Sequence, residues 1–250
     1  MRKTTLLICL LGIFLVSCST TPDKSVLALD CLPLNLQSDI IAFYPFSNGS
    51  INDLSGNGHH LENVTLASPG SDRTGNSNCA FQFNNVYDQQ WNPINDEHLF
   101  LPNPTFLNNL YSSPFSISLW HRTDVTGGVI MFRGTEILNC MSEWFLDLSN
   151  NNIPRFSVNN QTWFPINNHY ATGEWHNLVV TYNLSELRLY QDAVLLTTFQ
   201  MNSCNTPNTN AGDLFIGKHF KGTIDDIIIY SRELIPSEVE TLYNLQPCCY

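Results

Sequence analysis

The run Lys221-Gly222-Thr223-Ile224-Asp225-Asp226-Ile227-Ile228-Ile229-Tyr230 constrains this chain more than any other stretch. Apolar residues fill both alternating sets of positions: Ile224, Ile228 and Tyr230 on one, Ile227 and Ile229 on the other. A strand apolar on both faces must be covered on both, so it belongs in the middle of a sheet. Gly217 and Gly222 frame the turn that leads into it. Two adjacent carboxylates, Asp225 and Asp226, interrupt the apolar run. A buried carboxylate has to be hydrogen-bonded, paired or bound to a metal. These two therefore accept backbone N–H groups, pair with Lys221 or Arg232, or ligate a cation.

The N-terminus reads as a targeting segment. Arg2 and Lys3 precede an apolar stretch over residues 6–16, too short to span a membrane. Leu15-Val16-Ser17-Cys18 then matches a bacterial lipoprotein processing site, with cleavage before Cys18 and lipidation of that residue. The expected organisation is a signal peptide over 1–17, a lipidated cysteine and tether over 18–38, and one domain over 39–250. The expected location is the bacterial cell envelope, at the outer membrane, held by an acyl anchor. The formal charge of −11 becomes about −13 once Arg2 and Lys3 are removed, and no basic patch exists. That argues against nucleic acid as a partner. Six cysteines remain in the mature domain: Cys31, Cys79, Cys140, Cys204, Cys248 and Cys249. An even number outside the cytosol points to disulfides, with Cys31 joined to one of the terminal pair and Cys140 to Cys204. No Cys-x-x-Cys spacing supports zinc.

Short alternating runs at 40–46, 80–83, 97–101, 115–122, 129–132, 144–148, 153–158, 161–165, 175–182, 186–190 and 194–199 predict an all-β domain. Residues 61–66 also read as a short strand, 106–110 as one helical turn, and 236–243 as a helix with Pro236 near its start. Within this order stand three longer signatures. Tyr44-Pro45-Phe46 leads into the loop Asp53-Leu54-Ser55-Gly56-Asn57-Gly58-His59, a later strand opens Trp175-His176, and the terminal strand carries Gly222-Thr223-Ile224-Asp225-Asp226. Together they resemble the laminin-G-like domains of the concanavalin A-like lectin/glucanase superfamily. One departure is the hairpin turn Tyr190-Gln191-Asp192-Ala193, where such domains commonly have glycine after the aspartate.

The resemblance implies a two-sheet antiparallel jelly-roll sandwich. It also implies a structural calcium ion where the polar loop meets the terminal strand, with Asn48, Asp53 and one of Asp225 or Asp226 as oxygen ligands. The superfamily holds hydrolases, lectins and adhesive modules, so the fold does not choose among them. The carboxylate pattern of its hydrolases is missing, and Glu143 with Asp147 is the nearest mimic. A lipid-anchored binding or adhesive module, plausible for carbohydrate, is the leading expectation, with a structural or assembly role in the envelope and glycoside hydrolysis as alternatives. The expected partner is a glycan or an envelope protein. The candidate ligand contacts are the aromatics Trp91, Trp144, Trp163 and Tyr170, with Arg133, Glu143, Asn160 and His169 as polar neighbours.

Overall fold

The structure, a computed structural model, describes residues 29–88, 93–108, 112–134, 144–158, 161–163, 165, 170–200 and 212–249. The expectations placed on Cys18, Trp91, Cys140, Glu143, Asn160, His169 and Cys204 lie outside the described residues, as does the side chain of Trp163.

In chain order the strands are β1 (Ile40–Tyr44), β2 (Ser68–Gly70), β3 (Ala80–Asn84), β4 (Val86–Tyr87), β5 (Pro93–Asn95), β6 (Leu99–Leu101), β7 (Phe115–Thr123), β8 (Gly128–Arg133), β9 (Trp144–Leu148), β10 (Pro154–Val158), β11 (Gln161–Trp163), β12 (Trp175–Tyr182), β13 (Glu186–Gln191), β14 (Val194–Gln200), β15 (Leu214–Ile216) and β16 (Lys221–Tyr230). Helix α1 (Pro236–Asn244) follows β16. The larger sheet runs β14-β13-β12-β7-β16-β3-β2, with β1 also paired to β16. The smaller runs β11-β10-β9-β8-β15-β6, and β4 and β5 form a separate ribbon. Every pairing is antiparallel. This is the expected jelly-roll sandwich. Residues 61–66 form no strand; only an isolated bridge from Glu62 to Phe100 is present. The helical turn near 106 is a 3-10 turn over Thr105–Leu107.

The main core lies between the sheets, where Phe81, Phe83, Ile117, Leu119, Trp144, Leu146, Leu178, Val180 and Ile224 are buried together. A second core covers the outer face of the larger sheet. There Phe43, Val179, Tyr190, Ile228 and Tyr230 meet Leu32, Leu36, Leu234, Val239 and Leu242. Residues 29–38 are therefore not a tether: Leu32 and Leu36 bury against the sheet, and Gln37 donates from its Nε2 to the carbonyls of Leu29 and Leu32. Cys31 bonds Cys248 and Cys79 bonds Cys249, which fastens the C-terminal tail to both flanks.

Strand β16 is central, as its composition demands, but its alternation differs from the regular one. The ladder with β7 pairs Asp225 with Trp120 and then Ile228 with Ser118, so one extra residue is inserted. Asp226 occupies that bulge with φ 45°. The phase resets there: Ile224, Ile227 and Ile229 face the main core, while Ile228 and Tyr230 face the second. A bulge shifts every following side chain to the opposite face. The bulge also sits where the partner of β16 on its other edge changes, from β3 up to Ile224 to β1 from Ile227.

The hairpin that lacks the usual glycine closes through left-handed residues. Asp192 (φ 50°) and Ala193 (φ 63°) carry the turn, and the Asp192 carboxylate accepts from the Asn177 N–H at 2.9 Å and from His176 Nδ1 at 2.8 Å. Those bonds offset the strain that a Cβ brings in this region.

Candidate ligand-binding face

The outer face of the larger sheet is occupied by α1 and the N-terminal segment, whereas the outer face of the smaller sheet carries a row of aromatic rings. Alternation sends one phenylalanine outward from each of four neighbouring strands, and register aligns them. Phe100 of β6 pairs with Phe215 of β15, Phe215 with Phe132 of β8, and Phe132 with Phe145 of β9. The rings stack across the strands: centroids are 6.4 Å apart for Phe100–Phe215, 5.0 Å for Phe215–Phe132 and 5.1 Å for Phe132–Phe145. Interplanar angles of 29°, 22° and 4° make the row nearly parallel, within the separations at which aromatic pairs attract. Phe132 is fully buried and the other three are half-buried. The next position in the row is Ser157 of β10, so among the described residues no ring covers the far face of Phe145.

The turn between β15 and β16 supplies cationic and polar edges. Gly217 (φ 78°) accepts the Phe220 N–H through its carbonyl at 3.0 Å. That turn holds Lys218 Nζ 4.5 Å from the Phe215 centroid and 6.0 Å from that of Phe132. Tyr87 Oη lies 2.5 Å from His219 Nδ1 beside the row. On the adjacent outward row, Asp147 of β9 pairs with Arg155 of β10, whose Nε donates to Asp147 Oδ1 at 3.2 Å. Burial raises the Asp147 carboxyl above its ordinary value, while Arg155 opposes that rise. The face thus offers an apolar stripe flanked by a lysine, a histidine and a carboxylate–guanidinium pair. That is the mixture a polar ligand with apolar patches requires.

The expected contacts fall elsewhere. Trp144 is fully buried in the main core, 6.0 Å from the Phe156 ring, and presents no face to a ligand. Its even position on β9 points inward, the reverse of its neighbour Phe145. Arg133 is also buried, donating from Nη2 to Asn108 Oδ1 at 2.5 Å and from Nε to the Gly212 carbonyl at 3.3 Å. Burial depresses it to about 10, with Asp213 acting the other way. Tyr170 is half-buried and sits edge-on to His176 with centroids 5.3 Å apart. None of the three belongs to the phenylalanine row. Phe100, Phe132 and Phe145 each stood within a predicted strand, but their alignment with one another and with Phe215 depends on which strands are neighbours.

The acids proposed for calcium have other partners. Asp53 accepts from the N–H groups of Phe43, Ser55 and His59 and from Ser55 Oγ, at 2.8–2.9 Å, which uses both oxygens. Asn48 lies in a short 3-10 turn over Ser47–Gly49. Asp225 and Asp226 share Arg73, whose Nη1 is 3.3 Å from Asp225 Oδ2 and 2.8 Å from Asp226 Oδ2. A donor set already saturated by N–H groups at one end and by a guanidinium at the other does not fit a calcium ion. Neither Lys221 nor Arg232 takes that role; Arg232 instead binds Glu238 at 2.8 Å at the start of α1. Among the described residues, Asp72, Cys79 and Cys249 bring one ligand atom each within 4.8 Å of one another. The disulfide between the two cysteines leaves no thiolate there in the oxidised protein.

Residues 95–240 match the family described as the concanavalin A-like lectin/glucanases superfamily. The chain belongs to that superfamily. No curated protein matches it. Among solved structures, the superfamily fold here resembles botulinum neurotoxin type C, from work describing its cell entry as dependent upon interaction with two ganglioside molecules. The two share 16% identity and a TM-score of 0.63, over 84% of this chain and 52% of that one. The binding domain of Paraclostridial Mosquitocidal Protein 1 is similar at 19% identity and TM-score 0.63, again over 84% and 52%. Domain 4 of AbnA, a GH43 extracellular arabinanase from Geobacillus stearothermophilus solved with arabinotriose, gives 20% identity and TM-score 0.60, over 82% of this chain and 98% of that one. The chain thus spans about half the length of the toxin chains it matches. At these identities the likeness establishes the fold.

Proposed function

We propose that this domain is a non-catalytic carbohydrate-binding module displayed on the bacterial envelope through a lipid anchor at Cys18. The observation that carries the reading is the row Phe100–Phe215–Phe132–Phe145 on the outer face of the smaller sheet, three of its rings half-buried, with Lys218 and the Asp147–Arg155 pair beside it. Sugar rings combine apolar C–H faces with hydroxyls, so an aromatic stripe bordered by polar groups suits them. Support also comes from the arabinotriose complex of a similarly folded domain and from the ganglioside dependence of a similarly folded toxin. Of the pair nominated for hydrolysis, Glu143 lies outside the described residues and Asp147 is engaged by Arg155.

A glycan array on the soluble chain beginning after Cys18 tests this reading. Binding should fall at least about tenfold in Phe145→Ala and Phe215→Ala, corresponding to about 1.4 kcal/mol each. A wild-type domain that is folded and binds no glycan, yet captures envelope proteins through this face, would support the structural role instead. The anchor is tested separately: Cys18→Ala should lose metabolic lipid label, and retained label would remove it.

A further inference from the structure

Three adjacent strands of the larger sheet each turn a polar side chain into the sandwich at one end. His121 of β7 lies directly opposite His176 of β12, and Gln191 of β13 pairs with Leu178 of β12, two residues further along. The alternate residues Leu119, Leu178 and Leu189 belong to the main core, which places all three side chains on the inner face. His121 and Gln191 are each 2% exposed. Among the described residues, neither ring nitrogen of His121, nor Nε2 of His176, nor either amide atom of Gln191 has a hydrogen-bond partner. Each buried group left unpaired is costly, and five in one place call for an occupant.

The chemistry of the cluster says which occupant. His176 Nδ1 is 2.8 Å from Asp192 Oδ2. A carboxylate only accepts, so Nδ1 is the donor of that bond, and in the neutral imidazole this leaves Nε2 as the ligating nitrogen. Asp192 is itself fixed by the Asn177 N–H. A carboxylate behind a histidine is the arrangement that orients imidazole for a metal and raises its basicity. The two rings lie with centroids 6.0 Å apart. Two imidazoles bound at about 2.0–2.1 Å to one ion place their centroids roughly 5–6.5 Å apart, depending on the angle at the metal. Imidazole nitrogens select zinc-like ions over calcium or magnesium. The cluster also has a route to solvent, since the side chains of His176 and Asp192 are 12% and 26% exposed.

We propose that His121 and His176 chelate a divalent transition-metal ion of the zinc type between β7 and β12, with Asp192 as the orienting carboxylate and Gln191 Oε1 or water completing the coordination. The site is separate from the phenylalanine row, and its ion ties neighbouring strands together without touching a ligand on the outer face.

The test uses the mature chain, stripped of metal by a chelator and titrated with Zn2+ alone. Calorimetry should show binding that is lost in His121→Phe and in His176→Phe and weakened about 10–100-fold in Asp192→Asn. In the same titration of wild type, the assigned ring C–H resonances of His121 and His176 should move ahead of those of the other histidines. That readout needs no variant to fold. Unmoved resonances at about 1 mM Zn2+, the weak end of metal affinities, would overturn the proposal. So would zinc binding that survives in a folded His121→Phe/His176→Phe double variant.

Discussion

Arg73 is the residue whose removal should cost this fold most for its size. Its side chain is 8% exposed, and the carboxylates it serves are 1% (Asp225) and 8% exposed (Asp226). Its Nη2 donates to the Leu245 carbonyl at 3.0 Å, and its guanidinium lies 4.3 Å from the Trp120 centroid. Asp226 in turn accepts from the Cys248 N–H at 3.3 Å. Two buried acids thus share one cation, and both carboxyls are pushed above the ordinary 3.8, chiefly by burial, with Arg73 opposing the rise. Arg73→Met keeps an unbranched apolar side chain and removes the guanidinium that lies over Trp120. Breaking a buried pair from one side typically costs about 3–5 kcal/mol, which for a domain of this length lowers Tm by about 6–20 °C.

The pH dependence of that loss has a defined sign. A carboxyl with a folded pKa above its unfolded one binds more protons when folded, so it supports stability at low pH and withdraws support as pH rises through the folded value. Removing Arg73 lifts both folded values further. The deficit of the variant should therefore be largest near neutrality and shrink as pH falls toward 4. Adding Asp225→Asn and Asp226→Asn should recover most of it. Calorimetric or denaturant unfolding over that pH range measures all of this. A variant within about 0.5 kcal/mol of wild type, the usual range for an inconsequential surface change, or a deficit that grows on acidification, would refute the argument.

Two further outcomes are expected. Gly217→Ala should destabilise by about 2–4 kcal/mol, because a Cβ there would stand 2.2 Å from Phe83 Cδ1 at φ 78°; an unchanged Tm would show that the turn adapts, and would loosen the case that it positions Lys218. Reduction should lower stability by about 2–5 kcal/mol per bridge, since the disulfides close separations of 217 and 170 residues. Non-reducing digestion should yield one species joining the Cys31, Cys79 and terminal peptides, whereas free thiols at 248 or 249 would contradict the pairing.

Much of the fold was legible in the order of residues. Period-two alternation marked the strands, the doubly apolar β16 declared itself central, and the loop at 53–59 with the Trp175-His176 strand pointed to the superfamily. One cysteine bridge was also legible, because chain ends in a sandwich meet: Cys31 joins Cys248. Local sequence carries these facts because they depend on propensity and on burial of one residue at a time.

The rest depended on which strands are neighbours. Asp225 and Asp226 were visible as an anomaly, but their partner Arg73 lies about 150 residues away and reaches them only where β3 and β1 leave β16 exposed. The bulge at Asp226 reverses the faces of Ile228 and Tyr230, and nothing in the alternation announces it. Trp144 and Phe145 are adjacent in sequence and alike in chemistry, yet one fills the core and the other lines the outer row. Only the register of β6, β15, β8 and β9 decides that four separate phenylalanines become one surface. Alternation says that a side chain has a face; the sheet order says what it meets there.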